Sequence, residues 1–393
     1  MTQETALRKR VYGASAASMF IFSASSIALP ISLVRISAEL GLNLTQAGSL
    51  GFVASLEQFV VLLGTSFVAA RFGKIRVLRT GLIILAAGLL LFTLSRSWLA
   101  AAAIMLFIGL GNGLLEALLT PIVEDLYPAD NGSKMNLLHA FWPVGTCVTV
   151  LVFGELLSLD VSWRHLFLAL AAAVLLVNFL FPSSRKIQLP RSRADFSHMK
   201  EILAVPRFWL LGFALCFAGG AEAAFAFWSA SYIQLNFAAL PRAGGIGTAC
   251  FAAGMAIGRL ASSRLAGRFG LQKLLLGSGI LGLASSLIFF SIRSLPTLYA
   301  FLALMGLAVA CLWPSIQSYS ARVIKVDPTI LMIFLSCFGI PGYSSATLIM
   351  GMLGDAYGLQ RSFIIAPLYL GMMVVLLLID SRLPRTSRLK VAV

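Results

Sequence analysis

The sequence predicts an all-α membrane protein whose twelve transmembrane helices form two six-helix halves. Three observations lead to this prediction: the composition, the length of the apolar segments, and a motif that recurs half a chain later. The 393 residues are 59% hydrophobic and only 11% charged, which is too little charge to cover the surface of a soluble protein of this length. Apolar segments of roughly 20 residues are long enough to cross a bilayer as helices.

Twelve segments have that length, and we number them spans 1 to 12. They are predicted at residues 11–36, 44–70, 77–96, 98–124, 135–159, 163–182, 206–236, 243–266, 272–292, 295–323, 329–354 and 361–381. The long spans 5, 7 and 10 each leave room for a break or an interfacial extension. The apolar run after MTQETALRKR exceeds the hydrophobic core of a secretory signal, so we interpret it as an uncleaved first span.

The distribution of basic residues predicts the topology. If the amino terminus is cytoplasmic, 23 of the 30 Lys and Arg lie in cytoplasmic segments, six lie outside, and Arg259 lies within span 8. This positive-inside pattern places both termini in the cytoplasm and the protein in the cytoplasmic (inner) membrane. Topology therefore accounts for the net charge of +15, and no nucleic-acid partner is predicted.

The sequence patterns of metal sites and soluble enzymes are missing. The five cysteines fall within spans without a CxxC pair, which is typical of small buried hydrophobic residues rather than metal ligands or disulfides. The glycines at positions 109, 111 and 113 do not form a dinucleotide-binding motif after a strand, and there is no Walker A sequence. We therefore predict neither an enzyme, nor a cofactor, nor a metal site.

An internal repeat divides the chain. ARFGKIRVLRTG at 70–81 recurs as GRFGLQKLLLGS at 267–278, an offset of 197 residues, and Gly109 matches Gly306 at the same offset. The repeat predicts two homologous halves, residues 1–182 and 206–393, with the polar segment 183–205 as a cytoplasmic linker. Two parallel halves around a midplane cavity resemble the transporters of the major facilitator superfamily.

The repeated loop resembles a gating signature of that superfamily, G-x-x-x-D-R-x-G-R/K. Its residues here are Arg71, Gly73 and Arg76 in the first copy and Arg268 and Gly270 in the second. Ala70 and Gly267 replace the acidic residue, so a latch at this loop needs a carboxylate from elsewhere. Glu124 and Asp125, at the end of span 4, are the candidates for Arg71 or Arg76. The alternative is ordinary solvated loop charge.

Span 4 carries a carboxylate at a depth where hydrocarbon is expected. Glu116 lies about 13 Å from the cytoplasmic end at 1.5 Å per residue. Gly109, Asn112, Gly113 and Thr120 share its face of the helix, and the small residues permit close helix packing. Glu116 is then either a neutral acid hydrogen-bonded within the bundle or a titratable group that faces a water-filled cavity.

Three further charged groups lie inside spans. Glu57 in span 2 and Glu222 in span 7 are predicted near the midplane, and Arg259 lies about 12 Å from the cytoplasmic end. We predict that Arg259 pairs with Glu116 across the two halves in the inward-closed state, and that protonation of Glu116 releases the pair. The alternative is that Arg259 binds backbone carbonyls or lipid phosphate locally.

Aromatic and amide side chains near these acids define a predicted solute site. With Glu116 and Glu222, its members are Asn112, Asn136, Trp142, Trp228, Tyr232 and Trp313. Ring faces beside polar edges suit a sugar, whereas the alternative is that the aromatic residues belong to the core. His139 is either a proton relay or a simple hydrogen-bonding residue. The Gly-Gly pair before Glu222 is predicted to loosen span 7.

Two motifs narrow the resemblance. LHAFWPVG, preceded by Met135 and Asn136, and GGAEAAFAFWSASYI resemble the fucose:proton symporter branch of the superfamily. The resemblance implies that Glu116 takes part in proton coupling and sugar binding. Span 1, VYGASAASMFIFSASSIALPISLVRI, departs from that branch because it lacks a carboxylate.

Together these features predict a monomeric secondary transporter, surrounded by membrane lipid, that moves a small polar solute of the sugar class by alternating access with protons. A proton-coupled exporter of drugs or amphipathic metabolites is the alternative. Span 5 lacks the G-P-x-x-G-G motif that is typical of drug antiporters, which makes this alternative less favoured. A receptor or scaffold that moves nothing is disfavoured by the midplane acids and the two matching halves.

Overall fold

The computed structural model describes residues 3–128, 133–183, 187, 189–190, 199–324 and 328–383. Within these residues, twelve helices are long and apolar enough to cross a membrane. They are Gln3–Leu40, Leu44–Phe72, Lys74–Phe92, Trp98–Leu126, Leu137–Ser158, Trp163–Leu180, Pro206–Asn236, Pro241–Phe269, Leu271–Ser291, Leu295–Val323, Leu331–Tyr357 and Leu359–Ser381. They correspond to the predicted spans 1 to 12, so the all-α membrane fold is confirmed and the chain is an integral membrane protein.

Span 1 begins earlier than predicted because its charged start continues the helix. Arg8 forms an ion pair with Glu4 at 2.8 Å and donates a hydrogen bond to the carbonyl oxygen of Leu126 at 3.1 Å. Arg10 donates to the carbonyl oxygen of Leu180 at 2.9 Å. The apolar pattern could not show this extension, since the extra turns are held by carbonyls at the ends of spans 4 and 6.

Of the three spans with room for a break, only span 10 has one. Its two helices, Leu295–Val309 and Leu312–Val323, meet at a turn just before Pro314. Proline lacks the backbone N–H that a continuing helix needs, so a break beside it is expected. Span 7 is one unbroken helix, Pro206–Asn236, and span 5 continues without interruption through Ser133–Ser158.

The repeated loop has the same backbone conformation in both halves. Gly73 ends span 2 with a φ of 89°, and Gly270 ends span 8 with a φ of 83°. Each donates its N–H to a carbonyl four residues earlier, on Ala69 and Ala266. A positive φ is favourable only for glycine, which is why this residue survives in both copies of the motif.

The two halves contact each other mainly through spans 2 and 11 and through spans 5 and 8. A Cβ atom built on Gly48 would overlap the carbonyl oxygen of Thr347, and one on Gly245 would overlap that of Val150. Both contacts lie near the end of the bundle opposite residues 3 and 383. We call the end of the bundle that holds these contacts the distal end, and the end that holds residues 3 and 383 the terminal end. The two halves therefore contact each other at the distal end.

Polar groups reinforce both distal contacts. The carboxylate of Asp355, in span 11, accepts hydrogen bonds from the backbone N–H groups of Leu44 and Thr45 at 2.9 and 2.8 Å and from the Thr45 hydroxyl at 2.6 Å. On the other side, the hydroxyl of Ser158 accepts from the backbone N–H of Arg242 at 2.8 Å. In each case the end of a span in one half caps the start of a span in the other.

Most of the predicted linker lies outside the described residues, which exclude 184–186, 188 and 191–198. The described part includes a short helix, Met199–Leu203, just before span 7.

Candidate functional site

Small residues on span 4 permit the close helix packing that was predicted, and the partner is span 2. A Cβ atom built on Gly109 would lie 2.9 Å from the Cβ of Glu57, and one on Gly113 would lie 2.9 Å from the Cβ of Val61 and 3.2 Å from the Cα of Gln58. No larger residue fits at either position without moving span 2. Glu57 and Gln58 are both partly exposed and lie where the two helices approach most closely.

Glu116 is held by a neutral partner at this contact. The side-chain amide of Gln58 donates a hydrogen bond to one carboxyl oxygen of Glu116, which is itself partly exposed. Sequence reasoning gave Gln58 no role; the available signal was its place beside Glu57, which was predicted near the midplane. An amide can bond to either protonation state of a carboxyl group, so this contact leaves the charge of Glu116 free to change.

The other polar members of the span 4 stripe contact two further helices. Asn112 is buried, and its side-chain oxygen accepts a hydrogen bond from the hydroxyl of Ser25, in span 1, at 2.7 Å. The Thr120 hydroxyl lies 3.2 Å from Nε2 of His139, in span 5, and the His139 side chain is exposed. The stripe therefore joins span 4 to spans 1, 2 and 5.

Trp142, in span 5, packs against span 1. Its ring packs edge-on against Phe22, with 4.6 Å between the ring centroids, and the Ser23 hydroxyl donates to its backbone carbonyl at 2.7 Å. Trp142 is partly exposed, so one part of its ring remains available for contact. The side chain of Asn136, also predicted in this site, lies outside the described part of the structure.

The Gly-Gly pair of span 7 does not loosen the helix, so that prediction is wrong. A Cβ atom on Gly219 would lie 2.8 Å from the carbonyl oxygen of Gly339, and one on Gly220 would lie 3.0 Å from that of Gly342. The pair instead lets span 11 approach span 7 beside Glu222. The ring of Trp313 also lies against Gly219, next to the break in span 10.

Trp228 and Tyr232 are buried in this conformation. Trp228 is 0% exposed and donates from its ring nitrogen to the carbonyl oxygen of Thr347 at 3.2 Å. Tyr232 is 3% exposed and packs against Phe289 and Phe363 at centroid distances of 5.0 and 5.3 Å. Here both residues belong to the aromatic core and the distal contact, which was the alternative interpretation of this stretch.

Arg259 does not pair with Glu116 in this conformation. It interacts electrostatically with Glu222 and with His139, and among the described residues no carboxylate is close enough to form an ion pair with it. Tyr343 in span 11, which sequence reasoning missed, also interacts electrostatically with Glu222. A lone tyrosine in an apolar helix gives no sequence signal of such a neighbour.

The span 2–3 loop does find a carboxylate on span 4, but through a different basic residue. Asp125 forms an ion pair of 2.6 Å with Lys74. The side chain of Asp125 is only 17% exposed and that of Lys74 only 10%. The prediction of Arg71 or Arg76 as the partner of this carboxylate is therefore wrong. Lys74 takes that role because it is the first residue of span 3 and its side chain reaches span 4. The remaining loop residues Arg71, Arg76, Glu124 and Arg268 are exposed.

Comparison with known proteins identifies relatives along the whole chain. The family model described as Major Facilitator Superfamily matches residues 12–244 and 229–392. Membrane protein MosC of Rhizobium meliloti is 26% identical over 334 residues, which cover 84% of this chain and 79% of that protein.

Two solved structures share the fold. An inward-facing, occupied bacterial homologue of the human lysosomal transporter Spinster superposes with a TM-score of 0.81 at 15% identity, covering 96% of this chain and 97% of that one. The fucose:proton symporter FucP of E. coli gives a TM-score of 0.66 at 18% identity, covering 96% and 100%. At such identities the likeness concerns the fold alone.

Proposed function

Since the chain belongs to the Major Facilitator Superfamily, we propose that it carries a small polar solute of the sugar class across the cytoplasmic membrane, together with protons. Membership makes it a transporter of a small molecule. The sugar class, the proton and a monomeric state are our proposal. The positive-inside pattern assigns the terminal end to the cytoplasm, so a distal closure corresponds to an inward-open state.

The observation that carries the proposal is the setting of Glu116. Its carboxyl group is partly exposed, lies at the closest approach of two spans and is bonded to the neutral amide of Gln58. Because no Lys or Arg of the described residues forms an ion pair with Glu116, a proton can decide its charge. Glu57 and His139, one helix away on either side, would exchange that proton with water.

Arg259 would complete the coupling when the terminal end closes. Glu116 and Arg259 lie at similar depths on opposite halves, within a few ångströms by helix rise, roughly 1.5 Å per residue. An ionised Glu116 would attract Arg259 and favour closure, whereas a protonated Glu116 would not. Protonation would thereby shift the population of the two states.

The solute would bind between these charges. Trp142 and Trp313 offer partly exposed rings for the C–H faces of a sugar, and Asn136 and Glu222 would offer polar groups for its hydroxyls. Asn112 is buried against Ser25 and would contribute only after a rearrangement. Trp228 and Tyr232 would contribute only after the distal contact opens.

Reconstituted Glu116→Gln protein tests this function. We expect it to lose accumulation driven by an imposed pH gradient while it keeps exchange of labelled sugar, because the amide fills the same space but carries no proton. Glu4→Gln, at a side chain that is 71% exposed, is the matched control and should accumulate like the wild type. Normal accumulation by Glu116→Gln would refute the coupling role, and wild-type uptake driven by sodium but indifferent to pH would refute proton symport.

A further inference from the structure

Arg259 lies on the face of span 8 that meets the other half. At the distal end this face contacts span 5. Gly245 packs on Val150, and the thiol of Cys147 donates a hydrogen bond to the carbonyl oxygen of Ala249, with 3.9 Å between sulfur and oxygen. Counting by helical turns, positions 245, 249, 252, 256 and 259 share one side. Arg259 is about 21 Å further toward the terminal end, where it faces the gap between the halves.

His139 marks the opposite wall of that gap. It lies eleven residues before Val150 on span 5, about three turns, so it shares the face that contacts span 8. Its electrostatic interaction with Arg259 fits two side chains facing each other across the opening. The His139 side chain is exposed, so under the proposed function it would line the path of the solute.

The guanidinium of Arg259 has hydrogen-bonding capacity that the described residues leave unused. Its Nε is buried and has no hydrogen-bond partner. Glu116 is bonded to Gln58, and Glu222 acts on Arg259 without forming an ion pair. A buried N–H of a charged group is costly when it has no acceptor, and the planar fork of arginine matches a carboxylate with two parallel bonds.

We propose that Arg259 is an anion-binding subsite, so that the transported solute is a hydroxylated carboxylate such as a sugar acid. This inference rests on the proposed function and deepens it. The carboxylate of the solute would bind the guanidinium of Arg259, with Nε reached once the side chain turns away from its buried position, and the hydroxyls of the solute would reach the polar stripe of span 4 on the other half. In the opposite state Glu116 would take the same place on Arg259, so solute and Glu116 would compete for one cation.

Calorimetry on the purified full-length protein in detergent tests the subsite with three probes. Galacturonate and galactose differ only in the carboxylate, and succinate has carboxylates but no hydroxyls. We expect galacturonate to bind at least about tenfold more tightly than galactose, since a hydrogen-bonded charge pair is lost in the neutral sugar.

Variants then assign the difference to Arg259. Arg259→Gln should weaken galacturonate about 10-fold to 100-fold and galactose much less, whereas Arg259→Lys should fall between, because lysine keeps the charge but not the fork. Arg264→Gln, an exposed position on another face of span 8, is the control and should match the wild type. A thermal unfolding profile of Arg259→Gln that matches the wild type shows that this variant is folded.

The outcomes separate the two proposals. Equal affinities for galactose and galacturonate, or full galacturonate affinity in Arg259→Gln, would overturn the anion subsite and leave the sugar transporter standing. Binding of succinate alone, lost in Arg259→Gln, would support the subsite and reject the sugar class. Failure of all three probes to bind would reject both.

Discussion

The two halves of the molecule repeat their backbone contacts but not their charges. Gly109 lies against the carbonyl of Ala54, and 197 residues later Gly306 lies against that of Phe251. The distal contacts repeat in the same way, since Gly48 meets Thr347 just as Gly245 meets Val150. Where a neighbouring backbone leaves no room for a Cβ, both halves need the same residue.

The charged groups follow the opposite rule. Glu116 corresponds to Trp313 in the second half, and Arg259 corresponds to Leu62 in the first. The ion pair of Lys74 with Asp125 has no counterpart, because Leu271 and Arg322 stand in those places. The comparison teaches that close packing fixes the shared fold, whereas the carboxyl group and the cation proposed for coupling each belong to one half only.

The two halves differ most in the polar contacts that stabilise their terminal ends. Arg207 and Asp380 form a buried ion pair of 2.6 Å, with side chains only 6% and 1% exposed, and the Tyr319 hydroxyl donates to Asp380 at 2.5 Å. The equivalent of Arg207 in the first half, Arg10, is exposed and bonds to a single carbonyl.

Breaking this pair should give the largest effect. Arg207→Ala leaves a buried carboxylate without its cation and should lower the free energy of unfolding by about 3–5 kcal/mol. Arg10→Ala should lower it by less than about 1 kcal/mol. Unfolding in mixed detergent micelles measures both, and equal losses would contradict the contrast between the halves.

The next largest effect concerns the distal contact, where the halves should respond alike. Gly48→Ala and Gly245→Ala each place a Cβ against a carbonyl oxygen of the other half, so each should disfavour distal closure by about 1–3 kcal/mol. Gly64→Ala, with no atom within 4 Å of the added Cβ, is the control. Spin-label distances across the distal end measure the population in which that end is closed. An effect at only one glycine would contradict the expectation that the two halves respond alike.

A smaller effect is expected at the Lys74–Asp125 pair. A double-mutant cycle with Lys74→Met and Asp125→Asn should give a coupling energy of about 1 kcal/mol, between the values for exposed and buried pairs. The same cycle at Leu271 and Arg322, with Met and Asn, should give none. Coupling at both places would show that the second half compensates by another route.

The smallest effect should separate the two distal caps. Asp355→Ala removes an acceptor of three hydrogen bonds and should weaken distal closure by about 1 kcal/mol, whereas Ser158→Ala, at the equivalent position, removes one bond and should cost about 0.5 kcal/mol, so the two caps differ by only about 0.5 kcal/mol. The spin-label distances used for the glycine variants report both. A larger loss for Ser158→Ala would invert the assignment of the stronger cap.

Sequence reasoning located the spans and the repeat because each depends on local properties. Apolar length and a glycine at a positive φ depend only on the residues around them. The sequence allowed for a break in span 10 but allowed for one in spans 5 and 7 equally. The small residues beside Glu116 predicted a close helix contact without identifying span 2 as the partner.

The sequence did not identify partners, because a partner depends on how each helix is rotated and which end of the bundle is closed. Lys74 rather than Arg71 reaches Asp125, and Gln58 rather than a cation reaches Glu116. Trp228 and Tyr232 carry a pattern that suits a sugar, but both are buried in this conformation.

By itself, then, the sequence determined a twelve-span membrane protein made of two related halves with an acid in the fourth span. Only the tertiary structure decided that the halves close at the distal end and that Nε of Arg259 has no acceptor among the described residues. The physical reason is one of scale: apolar burial in lipid involves whole helices and is written into composition, whereas contacts between the halves differ by a few kcal/mol between states.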